Sequence, residues 1–341
     1  MIAVPGDGVF HHEDMVVGTH LTFGALDVTR AGIIAFASAF DPQPMHLDET
    51  AAKASIVGGL CASGFHTCAM MMRLLCDHFL LRSASLGSPG VDEVKWLRPV
   101  RPGDRLSVRI SVLDARDLKS RPDVGLSKML FEVLDQTGTP VMTAKTNQLM
   151  RRRHPGPAVE RKPQPKAERQ ATLWDEPASA TAVARGTYFE DINVGEVRDL
   201  GAHTFGRDEI IDFARQFDPQ PFHVDEDAGK RSLFGGLAAS GWHTAAIFIR
   251  QNVRAGQANT PVHLAPGEKP AAWGPSPGFR DMQWPRPVLA GDRIEYRSKT
   301  VEARELKSRP ERGLIISRAE GRNQRGEIVY RFTGQILVER R

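Results

Sequence analysis

No stretch of this chain comes near the run of about 20 apolar residues that a membrane-spanning helix needs. The opening MIAVPGDGVFHHEDM has neither the basic start nor the apolar core of a secretory signal. The expectation is a cytoplasmic protein with no membrane partner. Cysteine is scarce: Cys61, Cys68 and Cys76 all fall in the first half, with Ala238, Ala245 and Val253 at the matching places of the second. An odd, one-sided set makes no disulfide framework. No Cys/His cluster has ligand spacing, so neither a metal nor a cofactor is expected and the three read as buried thiols. Charge of one sign is lacking too. Lys and Arg number 45 against 41 Asp and Glu, a net +4 gathered largely in Arg151-Arg152-Arg153 and the segment behind it. No aromatic-basic face accompanies it, so no nucleic-acid partner is expected. A phosphate-binding Gly-rich loop, a Gly-x-Ser-x-Gly elbow and a His-Glu-x-x-His helix are likewise missing, which sets aside three large enzyme classes.

What is present is ordinary globular composition, 41% apolar and 25% charged, over 341 residues, enough for two domains. The chain repeats itself. Phe40-Asp41-Pro42-Gln43-Pro44-Met45-His46 returns as Phe217-Asp218-Pro219-Gln220-Pro221-Phe222-His223, 177 residues on (218 − 41). The same offset carries Gly58-Gly59 to Gly235-Gly236 and His66 to His243. Further along it becomes 188 (284 − 96), carrying Trp96 to Trp284 and Leu118-Lys119-Ser120-Arg121-Pro122 to Leu306-Lys307-Ser308-Arg309-Pro310. The second copy therefore holds 11 extra residues (188 − 177), read as a long loop within Ala255 to Pro277. Residues 154–186, rich in Pro, Ala and charge, read as a linker between a first domain over 1–153 and a second over 187–341. Leu173-Trp174 could pin that linker midway.

Within each copy Thr29 can cap a helix whose apolar residues Ile33, Ile34, Phe36, Ala37 and Phe40 follow 3.6-residue spacing, matched by Ile210, Ile211, Phe213, Ala214 and Phe217. After Ser63-Gly64 the run Thr67 to Leu81 is apolar nearly all round, as a fully enclosed helix would be. Val91–Val100, Arg105–Ala115, Val124–Leu134 and Pro140–Met150 read as strands between turn signals. A buried helix followed by about four antiparallel strands, twice over, is α+β rather than a parallel nucleotide-binding sheet.

Three constellations carry chemistry. Asp41/His46 and Asp218/His223 set a carboxylate and an imidazole five positions apart on a loop stiffened by two prolines, suited to general acid/base work; the plain alternative is a turn in which Asp merely bonds backbone. Ser63-Gly64 and Ser240-Gly241 open the buried helix, and the free amides there could serve as an oxyanion hole or be a simple cap. Lys119, Arg121, Lys307 and Arg309 could meet phosphates of a large anionic substrate or sit in water. His66 and His243 are read as structural or pocket-wall residues rather than catalytic ones, and Trp96 and Trp284 as packing residues.

These residues, in this order, resemble the MaoC-like family of (R)-specific enoyl-CoA hydratases and acyl dehydratases, whose motif is Asp-x-Asn-Pro-(Ile/Leu)-His-x-Asp followed by a helix-opening glycine. Here it stands as Asp41 to Asp48 with Ser63-Gly64, and again as Asp218 to Asp225 with Ser240-Gly241. Gln43 and Gln220 replace the motif's Asn, and Met45 and Phe222 are bulky, departures that bear on acyl length. The resemblance implies two hot-dog domains, each a long helix wrapped by an antiparallel sheet, pairing into one continuous sheet. It implies an acyl-CoA or acyl-carrier thioester as partner and reversible hydration of a trans-2-enoyl thioester by the Asp/His dyad. Retention of both dyads leads to the expectation of two working sites. Thioester hydrolysis and an acyl-thioester binding module without turnover stand as alternatives, and exposed sheet edges would allow a homodimer of tandem chains.

Overall fold

A computed structural model of the chain describes residues 1–157, 170–179, 186–258 and 267–341. The first half runs β1 (His20–Asp27), α1 (Arg30–Phe40), α2 (Pro44–Leu47), α3 (Glu49–Ala54), α4 (Gly64–His78), β2 (Ser85–Trp96), β3 (Arg105–Leu118), β4 (Arg121–Leu134) and β5 (Pro140–Arg151). The second repeats it as β6 (Val197–Thr204), α5 (Arg207–Phe217), α6 (Pro221–Val224), α7 (Glu226–Arg231), α8 (Gly241–Ala258), β7 (Gly278–Gln283), β8 (Arg293–Glu305), β9 (Arg312–Arg322) and β10 (Ile328–Glu339). Thr29 does cap α1, its hydroxyl accepting the Gly32 amide at 3.0 Å. The enclosed helix α4 starts three residues earlier than its apolar run suggests, because Ser63 caps it: the Ser63 hydroxyl accepts the Phe65 amide at 3.2 Å. Strands β1 and β6 escape a reading by alternation. They lie at the two edges of the sheet, and β1 is only partly covered, so its apolar pattern is faint.

All ten strands form one antiparallel sheet in the order β1-β3-β4-β5-β2-β7-β10-β9-β8-β6. At its centre β2 pairs with β7 in a register that obeys an internal two-fold: Val91 faces Met282 while Val94 faces Phe279. Gly278 makes the join tight. It sits at φ +147°, and a Cβ there would lie 2.0 Å from the Val94 carbonyl oxygen. The helices pack on one side of the sheet and meet across the same axis, with Phe36 edge-on to Phe217 at 5.6 Å and Phe40 edge-on to Phe213 at 5.5 Å. Each half is therefore a long helix wrapped by sheet, and the whole is a double hot-dog. Leu173 of the connecting segment is buried, its amide donating to the Glu320 carboxylate at 2.8 Å, and Trp174 lies beneath Arg322 at 4.6 Å. The loop inferred for the 11 extra residues falls partly on 259–266, outside the described residues; part of the excess simply lengthens α8.

Candidate active site

Local geometry makes each dyad. Asp41 closes α1 and Asp218 closes α5 in nearly the same backbone conformation, φ −144° and −149°. Pro44 and Pro221 then open the single-turn helices α2 and α6, where a missing amide costs nothing. His46 and His223 follow two residues on and turn back toward the carboxylate. The imidazole Nε2 stands 3.8 Å from Asp41 Oδ2 in the first copy and 3.5 Å from Asp218 Oδ2 in the second. All four side chains are buried.

Their partners define what the gap can do. His46 Nδ1 lies 2.9 Å from the Cys61 carbonyl and His223 Nδ1 lies 2.7 Å from the Ala238 carbonyl. A carbonyl only accepts, so Nδ1 carries a proton in each copy and Nε2 is the ring nitrogen turned toward the carboxylate. Ser63 and Ser240 donate to the same carboxylate oxygen at 2.6 Å in each copy, and Gln43 and Gln220 donate to the other oxygen at 2.6 and 2.9 Å. The glutamines that depart from the motif thus serve the carboxylate directly. Asp218 has one more donor, the Cys76 thiol at 3.3 Å, which reaches over from α4 of the first half. Burial and that carboxylate push the Cys76 thiol far up, so it stays protonated.

Gly64 and Gly241 begin α4 and α8 because a tryptophan leaves room for nothing larger: a Cβ would come within 2.3 Å of the Trp96 ring and 2.5 Å of the Trp284 ring. Trp96 donates its indole N–H to the Gly64 carbonyl at 3.1 Å, whereas the buried Trp284 indole N–H has no protein partner among the described residues. His66 and His243 sit deeper in these helices, stacked on Phe36 and Phe213 at 4.5 Å each. Burial among rings drags their pKa values down to about 4 and about 3, so both are neutral packing groups.

A cavity of about 350 Å³ opens against the second dyad, within the size range of small-molecule sites. Asp218, His223, Gly241 and Trp284 line one side, and the opposite wall comes from the first half, from Met71 and Leu75 of α4, Val91 of β2 and Ala144 of β5. Lys119 and Arg121 sit at the β3–β4 turn and Lys307 and Arg309 in the β8–β9 connection. Arg121 is paired with Asp123 at 3.0 Å, and none of the four lines this cavity. The cation that does is Arg286, an exposed residue that sequence reasoning passed over although Trp-x-Arg-Pro recurs at Trp96 to Pro99 and Trp284 to Pro287. The resemblance implies a substrate entering at the junction of the two units, but no motif singles out the first-half wall residues, since only the tertiary pairing brings them there.

Relatives point the same way. The MaoC like domain model matches residues 14–132 and again 188–315. YdeM of Bacillus subtilis (strain 168), a protein of uncharacterised activity, is 26% identical over 140 residues, 41% of this chain and 98% of its own. A MaoC domain protein from Chloroflexus aurantiacus J-10-fl superposes with a TM-score of 0.78 over 100% of this chain and 99% of that one at 16% identity. A Mycobacterium tuberculosis protein with a double hotdog fold gives 0.67 over 97% and 99%, also at 16% identity. With both segments matched and the fold shared from end to end, the chain belongs to the MaoC-like domain family.

Proposed function

We propose that the chain is a hydro-lyase that adds water reversibly to a trans-2-enoyl thioester, giving a 3-hydroxyacyl thioester, with Asp218 and His223 as its catalytic pair. The observation that carries this is the approach of His223 Nε2 to Asp218 Oδ2, 3.5 Å, beside a largely apolar cavity. Water is the smallest molecule that an imidazole nitrogen and a carboxylate oxygen so placed can hold between them. Asp218 takes a proton as the water oxygen bonds C3 of the substrate. The electron pair of the double bond shifts toward the thioester carbonyl, where the Gly241 amide at the α8 start, favoured by the helix dipole, meets the growing charge. The proton taken from water returns through the dyad to C2, so the enzyme ends as it began. Arg286 at the mouth supplies a positive charge for the phosphates of an acyl-CoA or acyl-carrier thioester. Asp41 and His46 repeat the pair geometry in the first half.

The test is a panel of trans-2-enoyl-CoAs, from crotonyl-CoA to longer and branched chains, followed by loss of the conjugated thioester's ultraviolet absorbance. Hydration with no release of free CoA thiol supports the reading. Thiol release without hydration would make the protein a thioesterase, and ligand-dependent thermal stabilisation without any turnover would make it a binding module.

A further inference from the structure

The two dyads are alike, but the walls opposite them are not. The open cavity at Asp218/His223 is bounded by Met71, Val91 and Ala144. The residues related to these by the internal repeat are Phe248, Phe279 and Phe332, all buried. The two-fold that relates the halves puts these rings on the side that faces the first dyad. Phe279 and Phe332 are 5.1 Å apart, and Phe248 and Phe332 are 5.3 Å apart. Phe65 and Trp96, whose counterparts Trp242 and Trp284 line the open cavity, are drawn into the same cluster: Phe65 stacks on Phe279 at 5.8 Å and Trp96 meets Phe279 edge-on at 5.6 Å. Phe332 lies so close over Gly334 that a Cβ there would be 2.4 Å from its ring, whereas the open side has Thr146 at that place. One exchange runs the other way, Phe131 against Ala319, yet the second cavity remains open with Phe131 in its wall.

We infer that this is a one-site enzyme: the Asp41/His46 dyad is built but sealed, its acyl pocket filled by Phe248, Phe279 and Phe332. The inference rests on the hydration reading and narrows it. Substrate reaches one dyad, the one whose opposite wall the first half supplies with small or flexible side chains. The first dyad keeps its hydrogen bonds because they also tie α1 and α2 to the start of α4, through Asp41 to Ser63 and His46 to the Cys61 carbonyl.

Two measurements decide it. In the hydration assay Asp218→Asn should lose more than about 100-fold of turnover, whereas two equal sites would leave about half. Isothermal titration of the intact chain with butyryl-CoA, a saturated analogue, should give one equivalent per chain; two equivalents overturn the inference. Opening the seal by Phe332→Ala with Phe279→Val should raise the stoichiometry to two, and in an Asp218→Asn background should restore measurable hydration. A folded variant, judged by circular dichroism, that still binds one equivalent overturns the assignment of these rings as the seal. The reverse change, Ala144→Phe, should abolish butyryl-CoA binding; unchanged binding argues against the same assignment. A wild-type chain that binds one equivalent but hydrates no enoyl-CoA sinks the hydration reading and leaves the one-site inference standing. No butyryl-CoA binding at all overturns both.

Discussion

Ser240 holds two jobs in one oxygen. Its hydroxyl donates to Asp218 at 2.6 Å and accepts the Trp242 amide at 3.2 Å, so it both fixes the carboxylate and caps α8. Ser240→Ala should therefore cost about 1–2 kcal/mol in urea unfolding. It should also lower kcat by roughly 10- to 100-fold through a misplaced carboxylate. A variant that loses stability but keeps kcat would mean Asp218 needs no such restraint. The buried His66 and His243 contribute to the pH dependence of stability. Their folded pKa values, about 4 and about 3, lie below the ordinary histidine value of 6.5. As pH falls below that value the unfolded chain takes up protons that the folded chain refuses, so stability is complete above it and drains away toward pH 4. The loss is on the order of 1 kcal/mol per pH unit per histidine within that window. Melting temperatures measured from pH 7.5 to pH 4.5 should fall accordingly, and His243→Phe should make the slope shallower.

Among the elements, the start of α8 carries the most consequence. Packing of the Trp284 ring against Gly241 leaves no room for a methyl group, so Gly241→Ala should cost about 1–3 kcal/mol and displace a cavity wall together with the first helical amide. Thermal melts and hydration rates on one preparation would check it; an unchanged Tm would show that the ring moves aside freely. The elements differ in how readable they are. Helices α1 and α5 announce themselves by apolar spacing and the long strands by turn signals, since both depend on local periodicity. The edge strands β1 and β6 do not, because half-exposed positions blur alternation. The Asp-Pro-Gln-Pro loops were visible as motifs, and backbone geometry alone explains why carboxylate and imidazole converge. The turns holding Lys119, Arg121, Lys307 and Arg309 lie away from the cavity lining, and Arg286 is the basic side chain on the cavity wall.

For the whole molecule the decisive feature is the β2–β7 join. It turns two half-sheets into one and sets Met71, Val91 and Ala144 opposite a dyad that belongs to the other half. Cutting the chain should therefore separate the chemistry from its pocket. Residues 187–341 expressed alone keep Asp218 and His223 but lose that wall and expose the β7 edge, an invitation to aggregation. They should show no measurable hydration and should form aggregates or dimers in size-exclusion chromatography, while the intact chain turns over. Full activity in the isolated half would overturn the cross-half cavity.

By itself the amino-acid sequence determined that there are two copies of one α+β unit, where each enclosed helix begins to within a turn, and which acid, imidazole, serine and glycine recur together. Those are local facts, encoded in spacing, capping and repeated motifs. Which dyad faces open space was decided only by tertiary structure. Alanine at 144 and phenylalanine at 332 are both ordinary core residues along their own strands, and their opposite effects arise because a cavity is the volume left over when distant side chains meet.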